Sequence, residues 1–472
     1  MDKASDICVI GGGPAGSTLA ARLAQFGWKV CLVERAVFPR RCLGESLTPG
    51  VLPLLESIGA GAAIEGASRA RKVSVCWETE REREDSESLP MLVDRGDFDS
   101  LLLEHARNCG VRVLQPAHVE KARRSGVGWN LVVRCKDRTS ELETRFVADA
   151  TGRASRLRCH RRATGPRTIA LHAYWTGGGL PNHPRIEAGE DRWYWGIPLP
   201  DGLYNTLVFI DPRDLAAMSG TLETRFRKLI AESSLLPDGT DARLTGRIRA
   251  TDATPHIEEE CVTEDSILVG DAALSLDPLS SSGVQKAIQS SLSGSVVVNT
   301  LLQRPESSEI ARRFYRESLA AASARHREWA QGHYARAAAG RGTKFWRERS
   351  AVTIPLAAAH IPPETNVAPD VPLRLSTESR MVDVPCIVEK FVETRAAVCS
   401  PGLSGPVVYL GAWELAPLLR RIRSGMTSRE LVSAWMPLVP PRNGMAIAQW
   451  LVSHGLLVTS ADGPGTPHRG GG

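Results

Sequence analysis

Residues 7–16 read Ile7-Cys8-Val9-Ile10-Gly11-Gly12-Gly13-Pro14-Ala15-Gly16. The first four are apolar without alternation, as a strand buried on both faces requires. Gly11, Gly13 and Gly16 then satisfy GxGxxG, and a helical stretch runs from Pro14 to about Phe26, with Gly27 placed to end it. Lys29-Val30-Cys31-Leu32-Val33 is a second strand, and Glu34 stands at its end, 18 residues beyond Gly16. Each part has a mechanical task. Gly11 permits a tight turn, Gly13 admits a pyrophosphate to the backbone, and Gly16 lets helix and strand pack closely. The helix start offers free N–H groups to phosphate, and an acid at the position of Glu34 can accept from ribose hydroxyls. Together they predict an α/β chain that opens with a Rossmann-like dinucleotide-binding unit.

Later segments choose between NAD and FAD. Phe38-Pro39-Arg40-Arg41-Cys42-Leu43-Gly44-Glu45-Ser46-Leu47 follows the second strand almost at once, and a plain nicotinamide dehydrogenase has no obvious need for it. Val93 to Asp99 starts a helix that carries Leu102 and Ala106 and ends near Gly110, and Val111-Arg112-Val113 reads as a strand. Phe146 to Gly152 is a strand ending in Asp-Ala-Thr-Gly, an element of flavoproteins. Far along the chain, Ser266 to Val269 leads into Gly270-Asp271, then Asp277-Pro278-Leu279-Ser280-Ser281-Ser282-Gly283-Val284. Val284, Ile288, Leu292 and Val296 recur every fourth residue and predict a helix. An acid at the Gly270-Asp271 turn can bind ribityl hydroxyls, and the helix start beyond Gly283 can face a flavin ring edge. FAD is the cofactor these segments favour.

At 472 residues, 42% of them hydrophobic and 24% charged, the chain is long enough for two or three domains with sizeable cores. Lys plus Arg number 58 against 53 Asp plus Glu, an excess of +5 too thin to argue for nucleic acid or a membrane surface. Ten cysteines lie too far apart for a CxxC pair, so no metal site is expected and a reduced, cytoplasmic setting fits. No apolar run approaches ~18 residues, so no membrane-spanning helix is expected, and the N-terminus shows no signal-peptide pattern.

These elements, over roughly residues 5–345, resemble the FAD-dependent monooxygenases of the para-hydroxybenzoate hydroxylase type and, within them, the flavin-dependent halogenase branch. GESL at 44–47 and Trp193-Tyr194-Trp195-Gly196-Ile197-Pro198, which fits WxWxIP, are the most specific markers. The resemblance implies a discontinuous FAD domain (1–72, 91–165 and 255–345) and a sheet-rich substrate domain (73–90 and 166–254). Stretches such as Thr168 to Trp175 and Tyr204 to Ile210 would belong to that second sheet. It further implies FAD contacts from Gly11, Gly13, Pro14, Ala15, Gly16, Glu34, Arg41, Ser46, Arg95, Gly270, Asp271, Pro278, Ser282, Gly283 and Val284. Trp193 and Trp195 would lie near the ring, with plain core packing as the competing reading. Glu45 and His172 are the acid–base candidates, for which structural or flavin-contacting roles are the alternative. Halogenases place a lysine after the GESL segment to relay hypohalous acid. The nearest candidate, Lys72, is offset from that slot, which favours hydroxylation over halogenation.

Residues 307–346 predict one or two long helices, 346–385 a proline-bearing connector, and 461–472 a disordered Gly/Pro-rich tail. A small domain at 386–460 is expected to hold a helix over Ala412–Arg423, a capping box at Thr427–Glu430, a helix bearing Leu431 and Trp435, and a third bearing Ile447 and Leu451. That order resembles winged-helix and PqqD-like modules, which hold precursor peptides. The third helix, about 444–454, has no Lys or Arg, a poor match to DNA. Domain order and length resemble the monooxygenase branch that matures tryptophylquinone-containing amine dehydrogenases. That likeness implies hydroxylation of a tryptophan side chain on a peptide or protein, such as a small cross-linked amine dehydrogenase subunit. O2 would supply the oxygen, and reduced nicotinamide or a flavin reductase the electrons. A halogenase of an aromatic small molecule and a non-catalytic flavoprotein scaffold are the alternatives.

Overall fold

A computed structural model describes residues 4–79, 82–87, 89–126, 128–155, 157, 160–350 and 370–460. The chain forms two units, Met1–Thr353 and Ile354–Gly472.

In the first unit, strand β1 (Ala4–Ile10) lies between β2 (Val30–Val33) and the Arg138–Asp149 strand, parallel to both. Beyond β2 the parallel set continues to Arg112–Leu114. Helix α1 (Pro14–Gln25) connects β1 to β2 and packs against the Arg95–Asn108 and Gly283–Gln303 helices. Ser266–Leu268 adds a parallel strand to the far end of Arg138–Asp149, whose near end carries the antiparallel Gly128–Cys135 and His118–Ser125 strands. Ile7, Cys8, Val9 and Val30 to Val33 are all buried, which explains their unbroken apolar run.

A second seven-stranded sheet runs in the order Arg243–Asp252, Ile169–Thr176, Tyr204–Ile210, Trp193–Pro198, Arg185–Ala188, Val73–Cys76 and Arg83–Asp85. Period-two alternation divides its faces. Leu171, Trp175, Tyr194 and Val208 pack under the Leu222–Ala231 helix through Phe226 and Leu229. Tyr174, Trp193, Leu207 and Phe209 face the other way and share a core with Tyr334 and Trp346. Those last two come from helices Ser308–Ala338 and Lys344–Ser350. The Gly283–Gln303 helix is buried more widely than a single stripe: Lys286, Ser290, Ser291 and Gly294 are covered along with Val284, Ile288 and Val296, whereas Leu292 is only partly buried.

The second unit has one core, built from Leu373, Leu415, Leu431, Trp435, Ile447, Leu451 and Leu457 among others. Its boundary departs from the expected connector at 346–385. The beginning of that stretch is helical with Trp346 and Arg349 buried, and its Leu373–Leu375 strand pairs with Leu457–Thr459 and belongs to the core. The remainder of that stretch at 351–369, like the expected tail at 461–472, lies outside the described residues. The helix expected over Ala412–Arg423 is confined to Leu415–Leu419. Gly411 takes a positive φ of 60° and turns Tyr409–Leu410 back on Trp413–Glu414. After the Pro441–Ser453 helix the described residues hold one strand, Leu457–Thr459, which pairs with Leu373–Leu375. The capping box is present: Thr427 Oγ1 accepts from Glu430 N at 3.3 Å and Glu430 Oε2 from Thr427 N at 2.8 Å. Thr427→Ala is expected to cost this unit about 1 kcal/mol, read as a lowered melting transition with FAD affinity unchanged.

Candidate functional site

The opening turn is set by backbone contacts that leave no room for side chains. Gly11 has φ of 106°, and a Cβ there would lie 2.5 Å from the Ala150 carbonyl oxygen. A Cβ on Gly16 would lie 1.8 Å from the Gly11 carbonyl oxygen. Gly13 is the N-cap of α1 and supplies no side-chain cap, Pro14 occupies the first helical position, and Ala15 is buried. The first-turn amides therefore face an uncapped concavity suited to phosphate. Glu34 is buried and bridges the turn: Oε2 accepts from Gly12 N at 2.6 Å and Oε1 from Ala36 N at 2.7 Å. Gly270 closes against the same turn, its Cβ position 2.7 Å from Ala15 Cβ.

Of the two consecutive arginines, Arg41 lies on the second-sheet side, 3.0 Å from Asp201 Oδ2 and with its guanidinium over the Tyr174 ring. Its neighbour Arg40 points toward the turn, with Nη2 3.6 Å from the Cβ position of Gly13, and is ion-paired to Asp99 at 3.3 Å. Arg40 is thus the phosphate candidate that sequence reading passed over. Arg95 is buried, bonded to Asp99 through Nε at 2.9 Å and Nη2 at 3.1 Å, and donates to the Leu43 carbonyl. Burial opposes its charge, and Asp99 more than restores it. This pair braces Gly44, whose positive φ keeps the segment close to both Arg95 and Val284. Ser46 is buried and its hydroxyl has no partner among the described residues.

Asp271 carries its carboxylate 2.8 Å from Lys286 Nζ and 3.7 Å from Arg153 Nε. Burial opposes ionisation here, but the two cations outweigh it and hold the carboxyl below the usual range. Neither cation stood out in the sequence. Pro278 opens a short 3-10 turn, Ser281 adopts a left-handed φ of 52°, and Ser282 is the N-cap of the Gly283–Gln303 helix without capping it. An αL serine is uncommon and marks a locally specified turn. The uncapped cradles at Gly13 and Ser282, the orphan hydroxyl of Ser46 and the acid at 271 fit a bound FAD.

Glu45 joins this region to the second sheet. Its Oε1 accepts from Tyr174 OH at 2.7 Å and its Oε2 from Asn205 Nδ2 at 2.6 Å, with only 3% of the residue exposed. Burial pushes its carboxyl up to about 7, against the partial opposition of those two donors and Arg95. His172 lies on the same face, its ring 6.1 Å from that of Tyr174. Burial, with Arg249 nearby, lowers its pKa to about 4 and keeps the imidazole neutral. Trp193 is sealed in the core, stacked on Phe209 at 3.7 Å and edge-on to Trp77 at 6.1 Å, whereas Trp195 is partly exposed. Lys72 is partly exposed, immediately precedes the Val73–Cys76 strand and is ion-paired to Glu84. Among the described residues no His, Cys, Asp and Glu cluster could hold a metal, and no helix is long and apolar enough to cross a membrane.

Comparison with known proteins extends this geometry. A family described as "FAD binding domain" matches residues 4–174. Tryptophan 2-halogenase of Chondromyces crocatus is 31% identical over 359 residues, covering 71% of this chain and 67% of that protein. The solved structure "Peptidyl tryptophan dihydroxylase QhpG essential for tryptophylquinone cofactor biogenesis" superposes with a TM-score of 0.77 at 28% identity, covering 96% of this chain and all of that one. The flavin-dependent halogenase CmlS shares the fold at 21% identity, with a TM-score of 0.75 and 97% of this chain covered.

Proposed function

Because the chain belongs to the superfamily of FAD-dependent monooxygenases and flavin-dependent halogenases, we propose that it hydroxylates the indole of a tryptophan side chain on a peptide or protein during tryptophylquinone formation. The observation that carries this reading is the likeness to the peptidyl tryptophan dihydroxylase, which extends across both units at 28% identity. The ion pair of Lys72 supports it too, since a lysine held by Glu84 beside the Val73–Cys76 strand is poorly placed to relay an oxidant.

When bound, reduced FAD would activate O2, one atom of which enters the product. The chain's own residues hold the cofactor and handle protons. Gly11, Gly13 and Gly16 admit the pyrophosphate, with Arg40 beside them and Glu34 fixing the turn. Asp271, held charged by Lys286 and Arg153, would accept from the ribityl chain, and the unpartnered hydroxyl of Ser46 would bond to the cofactor. Glu45 is the acid–base group. Its carboxyl is poised near neutrality, and Tyr174 and Asn205 fix its orientation. His172, neutral and buried, packs beside Tyr174, while Trp193 serves the core that backs the site. A flavin reductase or reduced nicotinamide provides electrons.

Halogenation of an aromatic small molecule is the second reading, favoured by the tryptophan 2-halogenase relative. Mass spectrometry of a co-expressed cross-linked small amine dehydrogenase subunit separates the two. A gain of one or two oxygens, independent of chloride or bromide, is expected; a halide-dependent halogen mass pattern, or no change in the subunit, would overturn the proposal.

A further inference from the structure

Serine at a helix N-cap ordinarily gives its hydroxyl oxygen to the amides of the first turn. Ser282 does not. It makes no side-chain cap to the Gly283–Gln303 helix, and its Oγ lies instead 2.6 Å from Ser280 Oγ. Ser280 Oγ in turn lies 2.7 Å from His326 Nε2 on the Ser308–Ala338 helix. Three proton-exchanging groups are thus joined end to end. His326 also lines a cavity of about 40 Å³ whose polar wall includes Ser275, Asp277, Ser323 and Arg349. Roughly 10–15 Å³ of such volume accommodates one water, so the cavity has room for about three or four with polar partners around them. Exposed Arg327 and Glu348 stand at its rim and connect it to solvent.

We propose that Ser282, Ser280 and His326 form a proton wire between the start of the Gly283–Gln303 helix and the water of this cavity. This rests on the reading that the flavin ring edge lies at that helix start. The wire moves charge without changing covalent structure. A cavity water, itself reprotonated from solvent, gives a proton to His326 Nδ1 as Nε2 passes its own to Ser280 Oγ; Ser280 passes its own to Ser282 Oγ, and Ser282 passes its own to the acceptor at the helix start. Monooxygenation requires such delivery: an arene C–H, O2, two electrons and two protons give the hydroxyarene and one water. Burial, reinforced by the charge of Lys286, lowers His326 to about 4, so its imidazole is neutral and both donates and accepts. Glu45, on the second-sheet side, handles the substrate proton and is not part of this chain. His326 and the two serines are positioning and transfer residues.

The test is proton uptake during photoreduction of bound FAD, followed with a pH-indicating dye in weakly buffered holoprotein. Ser280→Ala and His326→Gln are expected to slow uptake at least about tenfold while the FAD Kd stays within about twofold. His326→Gly should be slow and recover with added imidazole, which a packing role would not produce. Uptake at the wild-type rate in both Ser280→Ala and His326→Gln, or slow uptake in His326→Gly that imidazole fails to restore, overturns the wire. A wild-type chain that binds no FAD would instead remove the flavin placement on which the wire depends.

Discussion

Glu45→Gln is expected to lower hydroxylation by about 10²–10⁴-fold while the protein stays yellow, because the amide keeps the shape of the carboxyl but cannot exchange a proton at neutral pH. Wild-type turnover should rise with pH through about 7, where the buried carboxyl ionises, and this limb should vanish in the variant. Stability supplies an independent check. The folded protein holds the Glu45 proton up to about pH 7, whereas the unfolded chain releases it near the ordinary glutamate value of 4.5. Between these limits the native state binds more protons, so its stability falls as pH rises, by roughly 3 kcal/mol from this group. Urea unfolding at pH 5 and pH 8 should show that decline in the wild type and a smaller one in Glu45→Gln. Equal pH dependence in the two, with turnover unchanged, would leave Glu45 as a brace between segment 43–47 and the second sheet.

Gly16→Ala should abolish FAD retention altogether. The new methyl would meet the Gly11 carbonyl oxygen at 1.8 Å, and that carbonyl belongs to a turn already fixed by a positive φ and by Glu34. A backbone collision has no flexible side chain to absorb it, so a cost of about 3 kcal/mol or more is expected, concentrated at the pyrophosphate cradle. Gly66→Ala, where an added Cβ meets nothing within 4 Å, is the control. Purification without added flavin, followed by absorbance and thermal melting, should give a colourless, less stable Gly16→Ala and a yellow control.

The opening turn was legible because its requirements are written in residues that lack side chains, so local sequence carries the whole constraint. Period two was equally readable in Ile169–Thr176 and Tyr204–Ile210, strands whose direction fixes which residues face inward. Pairings across the chain were not. Glu45 takes its partners from residues 174 and 205, and Ser280 meets a histidine 46 positions later on a helix rich in Ala, Arg and Glu. Consecutive Arg40 and Arg41 lie in a loop without periodicity, so nothing local says which faces the turn. Trp193 and Trp195 share one face of a strand, a spacing that core packing and cofactor contact produce alike. Prolines at 362 and 363 suggested a connector, yet the second unit's core recruits Leu373 through pairing with residues near 459, a long-range choice no window of sequence contains.

The Ser266–Leu268 strand completes the parallel sheet from far along the chain, pairing with Val147–Asp149. On a ribosome, Asp149 emerges roughly 120 residues before its partner, an interval of about 6–24 s at ~5–20 residues per second. Throughout that interval the nascent chain exposes an apolar sheet margin able to recruit a neighbouring polypeptide. Yield in a host should therefore respond to slower growth temperature and to chaperone supply more than to changes in the finished protein's surface.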